Sequence, residues 1–495
     1  MSLAAVVIVV VATVLIGAFG IRVSRTTSDF YVASRTVSPL WNASAIGGEY
    51  LSAASFLGIA GLILSYGVDM LWLPVGWTGG YLVLLVLVSA PLRRSGAYTL
   101  PDFAEARLES MVVRRTASVL VVVIGWLYLM PQFQSAGLVL RTITGAPVWA
   151  GPLLVAGVVV LNVLSGGMRS ITFVQAFQYW LKLTALAVPL VFLLLAWQAD
   201  GAPGLNEADT HLWLTPLGGP KEYGVYSTYS LILATFLGTM GLPHVLVRFY
   251  TNPDGRAARR TTLVVLSLLG AFYLLPAVYG WLGRLYAPDL TRTDTVVLTL
   301  PSRMIGGTLG DLLTALVTAG AFAAFLSTSS GLTVSVAGVI AQDLLKGGVR
   351  SFRIATFMAV AMPLALALWA RALPVADVVG LAFAVAASSF CPLLVLGIWW
   401  RRLTTVGALA GLLTGGGLAC LAVLVTITGG PYDGMLGALL AQPAAWTVPI
   451  AFLVMVFVSL GTPHRVPRGV ATIMVRLHTP ENLDLDRGDW RPRTS

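Results

Sequence analysis

Apolar residues run in blocks of about twenty, separated by short stretches rich in arginine, glycine and proline. A helix needs about 20 mostly apolar residues to cross a bilayer. By that rule the chain predicts thirteen membrane helices, at about 3–21, 38–66, 70–92, 116–140, 149–166, 171–198, 227–247, 260–283, 309–342, 354–370, 374–400, 405–428 and 445–461. Two blocks are interrupted. The second contains Gly47-Gly48-Glu49-Tyr50-Leu51-Ser52, and the seventh contains Gly238-Thr239-Met240-Gly241-Leu242-Pro243-His244. Proline removes a backbone donor and clashes with the preceding turn, and glycine weakens a helix. Backbone groups freed inside hydrocarbon must find partners in protein, water, ion or solute, so both blocks predict discontinuous helices.

The two breaks lie five blocks apart, and five is odd, so a second unit starting at the seventh block runs upside down relative to the first. This pattern predicts an all-α integral membrane chain with a 5+5 inverted repeat, the kind of architecture that secondary transporters use. The expected division is a first helix and inner loop at 1–37 and a transport core at 38–400. The core comprises repeats 38–198 and 227–400 around an outer loop at 199–226. Two peripheral helices at 401–461 and a polar cytoplasmic tail at 462–495 complete the chain.

Composition agrees. The 495 residues are 57% hydrophobic and 11% charged, with mean hydropathy +0.85, against roughly 25% charged residues in soluble domains. The net charge of +10 does not point to nucleic acid, because the basic residues sit between apolar blocks. With the N-terminus outside, inner loops hold 18 of them, including Arg22, Arg25, Arg35, Arg93, Arg107, Arg114, Arg169, Arg248 and Lys346. Outer segments hold six: Arg141, Lys221, Arg284, Arg292, Arg303 and Arg371. The positive-inside rule then gives a multi-pass plasma-membrane protein with a cytoplasmic C-terminus. The first block has no basic residue before it, which favours a retained helix over a cleaved signal. Cys391 and Cys420 lie in apolar blocks and the four histidines are scattered, so no disulfide framework or metal signature is expected. No Walker A loop or HExxH motif occurs, and nothing supports an enzyme.

Ionisable groups inside a membrane mark functional sites. Glu49 and Lys182 are the two charges placed near mid-membrane, both roughly 15–20 Å from the inner surface at 1.5 Å per residue. Equal depth predicts a direct ion pair, with snorkelling of Lys182 and local backbone contacts for Glu49 as the alternative. Ser327-Thr328-Ser329-Ser330 in the ninth block offers hydroxyl oxygens, which suit a hard cation but serve equally in helix packing. Gln132, Gln134, Gln175, Gln178 and Ser388-Ser389 read individually as polar contacts between helices, and His244 as a hydrogen-bonded structural histidine or a proton carrier.

The residues around Glu49, the segment Gly241-Leu242-Pro243-His244-Val245-Leu246-Val247-Arg248-Phe249, and the hydroxyl-rich ninth block ending near Asp343 together resemble the sodium:solute symporter family. The similarity runs from about residue 27 to about 410, and within the family it is strongest to the acetate/monocarboxylate permeases. The resemblance implies the leucine-transporter fold. It also implies a sodium site made of the carbonyls of Gly48 and Leu51 with Ala324, Ser327 and Thr328. An acidic residue linked in some members to a further sodium is replaced here by Gln175. A lysine at position 182 is a second departure, since its ammonium could reach the cation site and leave transport coupled to protons or uncoupled.

The expected activity is alternating-access import of a small monocarboxylate such as acetate, propionate or pyruvate with co-transported Na+, or H+ in its place. Helix N-termini and free amides at the breaks would meet the carboxylate, with Gly47, Ser52, Gln132, Thr239, Gly241 and Ser388 as candidate contacts. The alternatives are symport of proline, pantothenate or a sugar, and a transporter-like sensor acting through a separate protein. No obligate protein partner is evident.

Overall fold

The computed structural model describes residues 1–21, 37–206, 210, 213–215, 217, 223–345, 347–370, 375–429 and 432–480. Among the described residues every regular element is helical. Helix α1 is Ser2–Ile21 and α2 is Pro39–Tyr50, which opens on a proline at its first position, where a missing N–H costs nothing. Leu51, with φ −73° and ψ 81°, leaves the helical region. The chain resumes through a π turn at Ala54–Gly58 into α3, Ile59–Tyr66. Helices α4 (Trp72–Val83) and α5 (Ser89–Arg94) lead into the short connection 95–99. There α6 (Leu100–Leu108) starts on a capping box of Thr99 and Asp102, which satisfies two otherwise orphaned donors.

Helix α7 is Met111–Thr144. Helix α8, Ala150–Ala199, contains two apolar pieces, Ala150–Ser165 and Ser170–Ala199. The second break separates α9 (Gly224–Gly241) from α10 (Pro243–Phe249), with a bend of 42°. Then come α11 (Gly255–Tyr286), α12 (Val296–Met304), α13 (Gly307–Val339), α14 (Gly348–Trp369) and α15 (Val375–Trp399). The C-terminal part holds α16 (Thr405–Gly411), α17 (Gly417–Gly429), α18 (Gly434–Ala441), α19 (Ala444–Gly461) and α20 (Val470–His478).

Each predicted apolar block has a helical counterpart, but length and apolarity support nine crossings among the described residues, or ten with the bent pair. The expected thirteen exceeds this because the first and fifth blocks form short apolar helices and the second is cut by its break. Helix α15 is enclosed almost on all sides, while α8, α14 and α19 are about two-thirds open. Their open faces carry large apolar side chains, as at Phe173, Phe177 and Trp180 of α8, the i, i+4, i+7 stripe of a lipid-facing surface.

Four arginines counted as topology signals are structural. Arg107 is buried and donates to the carbonyls of Gly397 (2.7 Å) and Trp400 (3.0 Å) at the end of α15, which satisfies orphan carbonyls and complements the helix dipole. Arg93 donates to the carbonyls of Asn252 and Pro253. Arg114 binds Asp102, Glu105 and Asp343, joining α6, the start of α7 and the turn after α13. Arg248 lies in the core. The tail is more structured than expected: α20 buries Ile473, Met474 and Leu477, and Arg476 donates to the Arg94 carbonyl at 3.0 Å. Arg22, Arg25, Arg35, Lys221, Lys346 and Arg371 lie outside the described residues, as do His211, Gly218-Gly219-Pro220 in the outer loop and the tail from 481.

On the opposite side, the Thr293–Thr295 turn carries Asp294, whose carboxylate is 3.5 Å from the Val375 amide at the start of α15. Burial pushes this carboxyl up to about 6 from 3.8, and the charge of Asp377 acts in the same direction. A raised carboxyl value means that the folded state keeps its proton where the unfolded chain has lost it. The resulting cost of about 3 kcal/mol is absent below the unfolded value and fully present above the folded one. Melting temperature is therefore expected to fall as pH rises across that window. Asp294→Asn should flatten that part of the pH profile, and an unaltered slope in the variant would exclude Asp294 as its source.

Candidate substrate and coupling site

The break after α2 frees carbonyls that each find a specific partner. The Glu49 carbonyl accepts from Thr328 Oγ1 at 2.6 Å, and the carbonyls of Gly48 and Leu51 accept from Lys182 Nζ at 2.5 and 2.7 Å. The same ammonium nitrogen lies 2.8 Å from Ser327 Oγ, and that hydroxyl donates to the Ala324 carbonyl at 3.1 Å. On the other side of the break, the Ala53 amide donates to Gln132 Oε1 at 2.9 Å. All five residues expected around sodium, Gly48, Leu51, Ala324, Ser327 and Thr328, thus come together. Lys182 stands among them, and three of their oxygens face its nitrogen.

The expected Glu49–Lys182 ion pair gives way to a different arrangement. Glu49 Oε2 pairs with Arg248 Nε at 2.7 Å, both side chains being buried. Arg248 also donates to Thr172 Oγ1 at 2.8 Å and to Gln175 Oε1, while Gln175 Nε2 donates to the Ser327 carbonyl at 2.8 Å. The guanidinium fork offers several fixed donors where an ammonium offers three rotatable ones, so the carboxylate goes to arginine and the neutral oxygens to lysine. Sequence reasoning places Arg248 at the first position of an inner loop and so misses it. The available signal was its position five residues after Pro243, within the short helix that the break creates.

The two breaks meet. Tyr50 Oη and Thr239 Oγ1 are 2.8 Å apart, and Thr239 also donates to the Thr235 carbonyl. Around this contact is an aromatic cluster centred on Phe383 of α15, whose ring lies 5.7 Å from Trp77, 5.9 Å from Tyr128 and 6.2 Å from Tyr50. Tyr81 adjoins Tyr50 at 4.9 Å and His244 adjoins Tyr128 at 5.2 Å. Trp77 Nε1, Tyr81 Oη and both ring nitrogens of His244 are buried with no hydrogen-bond partner among the described residues. A buried donor without a partner costs about 1–3 kcal/mol, so several in one place make this cluster a candidate ligand site. His244 is accordingly not the hydrogen-bonded structural histidine expected.

The expected substrate contacts divide in two. Ser52, Gln132 and Thr239 lie at the breaks beside this cluster. Gly47 instead packs on the Tyr179 ring and Gly241 on the Ala386 carbonyl, where a side chain has no room. Ser388 points away, bonding the Ala384 carbonyl at 2.7 Å and Thr447 of α19 at 2.6 Å. The small residues are present for close helix approach, the commoner role of glycine and serine in membranes.

The profile of the sodium:solute symporter family matches residues 30–415. The chain belongs to the sodium:solute symporter family. The symporter is 33% identical over 471 residues to the uncharacterized symporter YwcA of Bacillus subtilis, covering 89% of this chain and 90% of that one. It is 31% identical over 477 residues to the monocarboxylic acid transporter of Corynebacterium glutamicum, covering 88% and 87%. Among solved structures it is similar to a substrate-bound, outward-open Na+-coupled sialic acid symporter, with TM-score 0.72, 14% identity and coverage of 93% and 97%. It is also similar to Mhp1, a nucleobase-cation-symport-1 family transporter in a closed conformation, with TM-score 0.59, 14% identity and coverage of 91% and 99%. These structural neighbours are transporters of the leucine-transporter fold, and at such identity the likeness concerns fold alone. The symporter is a multi-pass membrane transporter of a small solute, and not an enzyme.

Proposed function

We propose that the symporter imports a small monocarboxylate, of the size of acetate, propionate or pyruvate, across the plasma membrane by alternating access. The observation that carries this reading is the set of unspent donors at the junction of the two breaks: Trp77 Nε1, Tyr81 Oη and His244, enclosed by Tyr50, Tyr128 and Phe383. A carboxylate only accepts hydrogen bonds, and the aromatic walls suit a short apolar tail. Similarity to a monocarboxylic acid transporter supports the same substrate class. A zwitterion such as proline would need a partner for its ammonium as well, and Glu49 Oε2 is already engaged by Arg248.

In this reading residues 38–198 and 227–400 form the two inverted five-helix units, within thirteen membrane helices whose N-terminus is outside and C-terminus cytoplasmic. The breaks at their first helices supply the solute site between them. Arg114, with Asp102, Glu105 and Asp343, ties the inner ends of three elements together and must release them for solute to leave inward.

Counterflow of labelled pyruvate into proteoliposomes preloaded with unlabelled pyruvate tests the substrate class without any imposed gradient. Labelled pyruvate is expected to accumulate transiently, and external acetate and propionate to compete while proline, pantothenate and glucose do not. Counterflow supported by proline or a sugar but not by pyruvate would refute the assignment.

A further inference from the structure

Sodium is the expected co-transported cargo, yet the residues that would hold it do not fit it as they stand. We infer that the ammonium of Lys182 takes the place of sodium at this site, so that the solute transport proposed above does not draw on sodium bound there. An ammonium has three donors. The Gly48 carbonyl, the Leu51 carbonyl and Ser327 Oγ supply three acceptors at 2.5, 2.7 and 2.8 Å. A sodium ion bound by the same oxygens would have to stand where the ammonium nitrogen stands. One site cannot hold both.

The ionisable surroundings are sparse. Helix α2 brings Glu49, neutralised by Arg248 of α10, and the hydrogen-bonded phenol of Tyr50. Helix α13 has no ionisable side chain after Asp311, and α1 has none. Tyr279 of α11 and Tyr179 of α8 itself donate to the backbone carbonyls of Leu186 and Leu268. The Lys182 nitrogen therefore joins the α2 break, α8 and α13 through its own hydrogen bonds, in the place a sodium ion would take.

Two measurements on the full-length symporter test this. In the first, proteoliposomes take up labelled pyruvate with sodium chloride or choline chloride outside at equal pH, with protein-free liposomes to correct for leakage of the undissociated acid. Uptake is expected to be equal in the two salts, and Lys182→Met to reduce it to the protein-free level. Uptake stimulated by sodium, or undiminished in Lys182→Met, would overturn the inference. The second needs no substrate: the melting temperature of the wild-type protein in sodium chloride is expected to equal that in choline chloride, and a rise specific to sodium would overturn it. If pyruvate does not exchange at all, the substrate reading fails while an unresponsive melting temperature still upholds Lys182 as the site's occupant. If Lys182→Met does not fold, the wild-type arms decide.

Discussion

Glu49→Gln is expected to destabilise the symporter by about 3–5 kcal/mol, the usual consequence of removing one partner from a buried ion pair. Without the carboxylate, the Arg248 guanidinium keeps its hydrogen bonds to Thr172 and Gln175 but holds an uncompensated charge in the core. Arg248→Met should cost a similar amount for the converse reason, and it also removes the donor that orients Gln175 toward the Ser327 carbonyl. The double variant should be less destabilised than the sum of the two, because it has no orphaned charge. Unfolding midpoints of the four proteins in one detergent give the coupling energy directly. Additive losses would mean that Glu49 and Arg248 act independently and that the pair is incidental. The prediction bears on function because the pair joins α2 to α10, one helix from each side of the two breaks.

Much of this arrangement was legible in the sequence, and the reasons for success and failure are physical. Glycine and proline inside apolar blocks have strong local consequences, so the breaks at Leu51 and Leu242 could be placed from composition alone. The five residues expected around sodium followed from the family resemblance, and they do converge, around the Lys182 nitrogen. Pairing was less accessible. Equal depth suggested Glu49 with Lys182, but depth says nothing about which helix faces stand opposite each other, and Arg248 competes with better geometry. Gly48 shows the same limit. It was assigned as a ligand through its carbonyl, yet its missing side chain matters as much, because a Cβ there would run into the Gln175 backbone carbonyl. The aromatic cluster was invisible because tryptophan and tyrosine in apolar blocks look like packing. Only the structure shows that Trp77 and Tyr81 are buried with their polar atoms unspent.

Those unspent donors carry the second large effect. If Trp77 Nε1 and Tyr81 Oη bind the solute carboxylate, each contributes a hydrogen bond to a charged group, about 1.5–3 kcal/mol, which is more than tenfold in affinity. Tyr81→Phe removes only the hydroxyl and keeps the ring that packs on Tyr50 at 4.9 Å. Trp77→Phe keeps an aromatic face toward Phe383. Neither change removes a hydrogen bond within the protein, so folding should be preserved or improved while binding is lost. A purely structural cluster would give the opposite pattern.

Calorimetric titration of pyruvate into the detergent-solubilised wild type, Tyr81→Phe and Trp77→Phe is therefore the most direct measurement. Binding to the wild type, weakened more than tenfold in both variants at undiminished melting temperature, is the expected result. Equal affinity in all three proteins would contradict a solute site at the junction of the two helix breaks.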